Sequence, residues 1–311
     1  MLNIFFAAGQ KNWVSYEAPL KQALTEARIS ARIMTETPSS PETVDYIIFA
    51  PNGVISDFTP YSGTRAVLSL WAGVEKLVTN KTLSQPLCRM VDPGLTEGMV
   101  EYVVGHVLRH HLGMDLHIVN RTHRWDPTCP PLARERPVGV MGMGALGAAV
   151  IKALKALNFP VSAWGRSPKD GLDIPYYYGN DGLKTLLNGT QILVTLLPDT
   201  AQTIGLLNAE RFGFLPKGAV LINPGRGTLI VDAALIAALD KGVLSHATLD
   251  VFHQEPLVQD HPFWRHPKVT ITPHVAADTR SESASRVVVE NIWRSETGLP
   301  LLHRVDLARG Y

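Results

Sequence analysis

The apolar run Val138-Gly139-Val140-Met141 leads directly into Gly142-Met143-Gly144-Ala145-Leu146-Gly147, and a second apolar stretch continues to residue 157. A G-x-G-x-x-G set between a strand and a helix is compatible with few folds. Its first glycine makes a tight turn, its second lets a phosphate approach the backbone, and its third lets the helix pack close to the strand. The helix N-terminus behind the turn offers unpaired N–H groups and a positive dipole end to an anion. Gly142, Gly144, Ala145, Leu146 and Gly147 are therefore expected to hold the pyrophosphate of a dinucleotide, inside a doubly wound parallel sheet. A glycine-rich turn without a ligand is the alternative. It does not explain why the elements stand in the order the motif requires.

Strand and helix patterns alternate on both sides of this turn. Before it, residues 4–8, 46–50, 66–71 and 87–91 read as strands, with helical pattern between them, for example over 20–27. That alternation implies a small, mainly parallel α/β unit. Asp92-Pro93-Gly94 reads as a break, and a long helix is expected from about 96 to 119. Its buried face is set by Val100, Val103, Val104, Val107 and Leu108. Residues 121–137, with Pro127, Pro130, Pro131 and Pro137, read as an arm leading to a second unit. Beyond the turn, strands are expected at 161–164, 192–197, 219–223, 246–251 and 269–272. Asn208 reads as a helix cap, as does Asp232 before 233–240, a helix that stops at Lys241-Gly242. Residues from 281 read as helical and then irregular.

Composition narrows the function. A chain of 311 residues accommodates roughly two domains. With 29 Lys+Arg against 28 Asp+Glu, the net charge of +1 provides neither the basic stripe of a nucleic-acid protein nor a polybasic membrane anchor. The least polar run, 138–151, is shorter than the roughly 20 residues of a bilayer span and is interrupted by glycines. The N-terminal apolar run stops at Gly9 and has no basic flank, so it reads as a first strand and not as a secretory leader. Cys88 and Cys129 make no disulfide framework, which fits a reducing, cytoplasmic compartment. Cys88 reads as a small core residue, and nothing marks Cys129 as a nucleophile. His106 and His110 stand at metal-binding spacing, but no third ligand accompanies them. They read as surface or interface residues, and no metal is expected. Phe263-Trp264 reads as packing.

The strand after the fingerprint discriminates between cofactors. An NAD site ends this strand with an acid that bonds the ribose 2′-OH. Here the run is Ala163-Trp164-Gly165-Arg166-Ser167-Pro168-Lys169, with no acid. Arg166 offers a guanidinium fork to a 2′-phosphate, Ser167 a hydroxyl and Lys169 a second charge. NADPH is therefore expected in preference to NADH; the alternative is that these are solvated loop charges. Three later segments place chemistry at expected strand ends: Asn223-Pro224-Gly225-Arg226-Gly227, the run from Asp250 to Glu255-Pro256, and Thr272-Pro273-His274. Arginine, glutamate and histidine together suit hydride reduction of a 2-oxo acid. A histidinium donates the proton to the carbonyl oxygen. A carboxylate beside an imidazole orients it and favours its charged form. An arginine polarises the carbonyl and grips the substrate carboxylate. Asp250 is a candidate for holding the nicotinamide carboxamide or ribose. Singly, each residue also has a plain structural reading; behind a dinucleotide fingerprint, the set points to chemistry.

On these motifs, and on the runs LPDTAQTIGLLN, DVFHQEPL, VTITPHVAA and VDLARGY, the chain resembles the D-isomer-specific 2-hydroxyacid dehydrogenase family over essentially its full length. The resemblance implies two domains: a Rossmann-type cofactor domain over 99–278, and a smaller flavodoxin-like α/β substrate domain formed by 1–98 and 279–311. It implies that Arg226 and His274 are catalytic and that Glu255 partners His274. It adds Leu197, Pro198, Asn223, Pro224 and Gly225 to the cofactor set. It also implies that Trp71-Ala72-Gly73-Val74 is a substrate loop, with the N–H groups of Gly73 and Val74 on the substrate carboxylate. Domain closure would bring Gly73 toward His274 and exclude water. A homodimer built through 121–137 is implied, with Trp125 reaching the partner's site. The activity implied is NADPH-dependent reduction of glyoxylate to glycolate and of hydroxypyruvate to D-glycerate. Phosphite and D-lactate dehydrogenases of the same family are the enzymatic alternatives. A dinucleotide-sensing corepressor is the alternative of another class, and its disordered extensions are not evident in this sequence. Pro224-Gly225 before Arg226, Glu75 and Ala277 depart from commoner family residues, and none of these departures removes a catalytic side chain. Pro224 does remove an N–H from the cofactor side.

Overall fold

The structure, a computed structural model, describes residues 1–118, 123 and 125–307. It divides into two compact units: Met1–Leu95 with the described part of Asp278–Tyr311, and Thr96–Ala277. The end of the VDLARGY run, 308–311, lies outside the described residues, as do 121, 122 and 124 of the expected arm.

The first unit is a five-stranded parallel sheet of β1 (Leu2–Phe6), β2 (Ala31–Met34), β3 (Tyr46–Phe49), β4 (Ala66–Ser69) and β5 (Leu87–Cys88), in the order β2-β1-β3-β4-β5. This is the flavodoxin-like doubly wound order. Side chains alternate between two cores, as the period of a strand requires. Ile4, Phe6, Tyr46, Ile48 and Leu68 meet the helices Gln10–Glu26 and Ser281–Glu296 on one face. Phe5, Ile47 and Val67 meet Phe58, Tyr61 and Leu77 on the other. Both faces are covered, so the central strands are continuous apolar runs that a sequence reader can find. The edge strand β2 carries Arg32 and is only half-buried, and so it gives no such signal. β1 starts two residues earlier than expected, and β5 is shorter because Arg89 N and Met90 N turn to His303 O and Trp71 O. Cys88 is buried, and burial pushes its thiol up to about 11.

The long helix runs Pro93–His111 and not 96–119. Pro93 opens the helix where its missing N–H costs nothing, and Asp92 Oδ2 accepts from Gly94 N and Leu95 N at 3.1 and 3.3 Å. Gly113, at φ 62, turns the chain into a separate helix, Met114–Ile118, and the expected end at Val119 lies outside the described residues.

The second unit holds β6 (Val138–Met141), β7 (Val161–Gly165), β8 (Tyr176–Tyr178), β9 (Ile192–Thr195), β10 (Ala219–Asn223), β11 (Leu244–Leu249) and β12 (Val269–Ile271). All pairings are parallel, in the order β12-β11-β10-β9-β6-β7-β8. The order reverses between β6 and β9, and open α/β sheets bind ligands outside the carboxyl ends at such a point. The edge strand β8 was not expected: three tyrosines give no apolar run. β11 lies two residues earlier than expected, because Asp250 leaves the sheet. Asn208 caps its helix as expected, its Oδ1 accepting from Arg211 N at 3.0 Å. Asp232 is the first residue of its helix and not the cap, which is Val231; it still meets the positive dipole end.

The histidines of the long helix, read as surface or interface residues, are half-buried at His106 and His110 and buried at His111. His110 Nε2 lies 2.9 Å from Thr248 Oγ1, and His246 Nε2 lies 2.8 Å from Thr270 Oγ1. Arg109 joins them, donating to Thr270 Oγ1 at 2.9 Å and to both oxygens of Asp115 at 2.7 and 2.9 Å. Burial, reinforced by neighbouring cations, lowers His110 from 6.5 to about 3 and His246 from 6.5 to about 4. The unfolded chain thus takes up protons near pH 6.5 that the folded one refuses until far lower pH. Stability is expected to be full above pH 6.5 and to fall as pH drops from 6.5 toward 4. Urea unfolding at pH 7 and pH 5 checks this: the difference should shrink in His110→Gln, and identical differences in both proteins would contradict it.

Candidate active site

The fingerprint turn has the geometry its glycines suggest. Gly142 has φ 107, and a Cβ there would stand 2.6 Å from Leu196 O. A Cβ on Gly147 would stand 2.0 Å from Gly142 O, so the Ala145–Ala156 helix approaches the turn as only glycine permits. Gly144 is exposed and faces open space. It precedes the helix without a side-chain cap, leaving the first-turn N–H groups to a ligand. Arg166 and Ser167 are exposed at the end of β7. Lys169 reaches back to the turn, its Nζ donating to Met143 O at 2.6 Å. Tyr176 on β8 donates to Ser167 O at 2.8 Å and so ties down the same loop. Leu197 and Pro198 follow β9, beside the switch point.

Two residues expected to contact the cofactor make hydrogen bonds within the unit. Asn223, at the end of β10, is 0% exposed. Its Oδ1 accepts from Thr195 Oγ1 at 2.5 Å and Gly225 N at 3.2 Å, and its Nδ2 donates to Arg226 O at 3.0 Å. Its side chain thus shapes the turn that presents Arg226; Pro224 and Gly225 within that turn are buried. Asp250, after β11, is likewise 0% exposed. Its carboxylate accepts from Val275 N and Ala276 N, both at 2.9 Å, and from Thr272 Oγ1 at 2.6 Å. It therefore shapes the turn that presents His274. Sequence reading missed Thr195 and gave Thr272 no role of its own; a polar residue at the end of a buried strand is the signal that could have found them.

Two of the three catalytic candidates are bonded to each other, and the third lies in the same unit. His274 Nδ1 donates to Glu255 Oε2 at 2.7 Å, and Phe252 N donates to Glu255 Oε1 at 2.9 Å. Both Glu255 oxygens therefore accept a hydrogen bond. The pair is partly exposed, as groups that meet a ligand must be. Arg226 is half-buried, and its Nη1 donates to Gly225 O at 2.7 Å.

In the first unit, Trp71 N donates to Ser69 Oγ at 3.1 Å, and Trp71 O accepts from Met90 N at 3.0 Å. Val74 O accepts from Leu77 N at 2.9 Å, opening a short helix. The N–H groups of Gly73 and Val74 donate to no acceptor among the described residues. Trp71 also borders a cavity of about 500 Å³, with Asn12, Ser15, Tyr16 and Arg280 on its walls. No helix among the described residues is long and apolar enough to cross a membrane, and no group of His, Cys, Asp and Glu among them is arranged to hold a metal ion.

The chain is similar to known proteins of one family. The family profile described as D-isomer specific 2-hydroxyacid dehydrogenase, NAD binding domain, matches residues 104–276. A glyoxylate/hydroxypyruvate reductase A of Salmonella heidelberg strain SL476 is 41% identical over 255 residues, covering 79% of this chain and 82% of its own. A D-isomer specific 2-hydroxyacid dehydrogenase from Xanthobacter autotrophicus Py2, in complex with NADPH and MES, superposes with a TM-score of 0.90 at 36% identity, over 100% of this chain and 99% of its own. An NADPH-dependent glyoxylate/hydroxypyruvate reductase from Sinorhizobium meliloti, in complex with NADP and sulfate, gives a TM-score of 0.87 at 34% identity, with 100% of both chains covered.

The turn itself sets an expectation. Gly147→Ala should destabilise the protein by about 1–3 kcal/mol, since main chain must move to admit the methyl group. Gly144→Ala, which meets nothing within 4 Å, should leave stability within about 0.5 kcal/mol. Urea unfolding of the two variants checks the contrast, and equal losses would contradict it.

Proposed function

The chain belongs to the D-isomer-specific 2-hydroxyacid dehydrogenase family, and we propose that it uses NADPH to reduce small 2-oxo acids, glyoxylate to glycolate and hydroxypyruvate to D-glycerate. The observation that carries this reading is the 2.7 Å bond between His274 Nδ1 and Glu255 Oε2, in the unit that also holds the dinucleotide turn. The names of the relatives support these substrates and NADPH.

The residues present fit NADPH. The open space at Gly144 and the uncapped helix start suit the pyrophosphate, with Gly142, Ala145, Leu146 and Gly147 forming the turn. Arg166 and Ser167, at a strand end without an acid, suit a 2′-phosphate. Lys169 supports that loop and turn; Leu197, Pro198, Pro224 and Gly225 would complete the residues that hold the cofactor, and Asn223 and Asp250 act through the turns they hold. When bound, NADPH supplies the hydride. His274 holds at Nε2 the proton that the carbonyl oxygen takes up, and Glu255 fixes the imidazole and favours its charged form. Arg226 polarises the carbonyl and grips the carboxylate with a planar fork. The loop from Trp71 through Ala72 to Val74 offers the N–H groups of Gly73 and Val74 to a substrate carboxylate. The first unit thus serves the substrate and the second the cofactor.

The enzyme acts as a homodimer through the region of 121–137. The exposed apolar side chains of Leu116, Ile118 and Trp125 in and before that region support this assignment. Two unpaired cysteines support a cytoplasmic setting.

Steady-state oxidation of NADPH and NADH with glyoxylate, hydroxypyruvate and pyruvate tests the reading. Rapid turnover of NADPH with the first two is expected; no turnover beside tight NADPH binding would argue first for a different substrate and then for a sensor. His274→Ala should lower kcat by about 10²–10⁴-fold and leave NADPH binding intact. Arg166→Ala should raise the KM for NADPH by about tenfold or more, through loss of a charge-assisted bond, while sparing NADH. Equal losses with both cofactors would refute the 2′-phosphate role.

A further inference from the structure

His274 stands in a backbone conformation that a side chain disfavours. Its φ is 54, in the left-handed region where a non-glycine residue is held only by its surroundings. Asp250 does the holding. Its main-chain carbonyl accepts from His274 N at 2.9 Å, and its two carboxylate oxygens accept from the next two N–H groups, Val275 and Ala276, each at 2.9 Å. A single residue thus takes three consecutive N–H groups.

The carboxylate is itself held. Thr272 Oγ1 donates to Asp250 Oδ1 at 2.6 Å. A threonine hydroxyl has one hydrogen. Having given it to Asp250, Thr272 must accept the bond from Tyr102 Oη, which lies 2.7 Å away. The direction of the chain is therefore determined: Tyr102 to Thr272 to Asp250. Tyr102 sits half-buried on the Pro93–His111 helix, and desolvation raises its hydroxyl pKa, so it stays a donor.

We infer that Tyr102, acting through Thr272, is a positioning residue for proton donation: it fixes the Asp250 carboxylate that holds the 274–276 turn and keeps His274 against Glu255. This rests on His274 being the proton donor. It gives the long helix, which carries none of the proposed catalytic groups, a role in the rate of reaction.

Tyr102→Phe, Thr272→Val, Thr272→Ser and the Tyr102→Phe/Thr272→Val double variant test it, with His274→Ala as reference and glyoxylate and NADPH as substrates. Tyr102→Phe removes one hydrogen bond and should lower kcat about 3–10-fold, with the Kd for NADPH and the KM for glyoxylate within about twofold. Thr272→Val should lower kcat further, and Thr272→Ser, which keeps the hydroxyl, should restore most of it. The double variant should be no slower than Thr272→Val, because the chain is already cut. A Tyr102→Phe enzyme with undiminished kcat beside an inactive His274→Ala would overturn this inference alone. So would losses that multiply in the double variant, or a fall in kcat matched by equal losses in NADPH binding. Turnover retained by His274→Ala would overturn the proton-donor reading and this inference with it.

Discussion

A buried carboxylate holds the turn on which the proposed chemistry depends. Asp250 leaves β11 and takes up N–H groups of the turn after β12, so that His274 emerges at a φ it would not choose alone. An acid without exposed surface is costly unless its oxygens are matched by donors. Here they are matched by two main-chain N–H groups and a threonine hydroxyl. The cost of removing any one donor makes the arrangement rigid, and rigidity is what a proton donor needs if it is to meet a carbonyl oxygen within hydrogen-bond reach.

The neighbouring strand repeats the device. Asn223 leaves β10 buried, takes Thr195 Oγ1 and Gly225 N, and gives its own N–H to Arg226 O. In both places a polar side chain at a strand end is turned inward to shape a loop that presents a proposed catalytic residue. The parallel sheet makes this possible. Its strands all deliver their carboxyl ends to one edge, and coverage on both faces makes each strand a rigid apolar support.

The legibility of the sequence followed burial. β6 and β10, fully buried, were expected over 138–141 and 219–223 and are found there. The edge strands β2 and β8 escaped, because half-buried or tyrosine-rich segments lack the apolar run by which an inner strand is read. The long helix was expected to begin at 96 because Pro93 reads as a breaker; Pro93 instead opens it, its missing N–H being one that a first turn leaves unpaired in any case. His106 and His110 were read as surface or interface residues because a histidine pair on a helix gives no sign of what covers it. The threonines of β11 and β12 that meet His110 and His246 lie more than a hundred residues on from the helix.

By itself the sequence determined the fold class, the dinucleotide turn and the inventory of chemical groups, because strand and helix periods, glycine steric freedom and side-chain type are local properties. It also determined the family. The tertiary structure decided which groups touch: that Glu255 and His274 are bonded, that Tyr102 reaches Thr272 from a distant helix, and that Asn223 and Asp250 face inward. A polar side chain at a strand end can face solvent or a neighbouring loop with the same local pattern. Only the packing of the strands beside it supplies the donors that settle which.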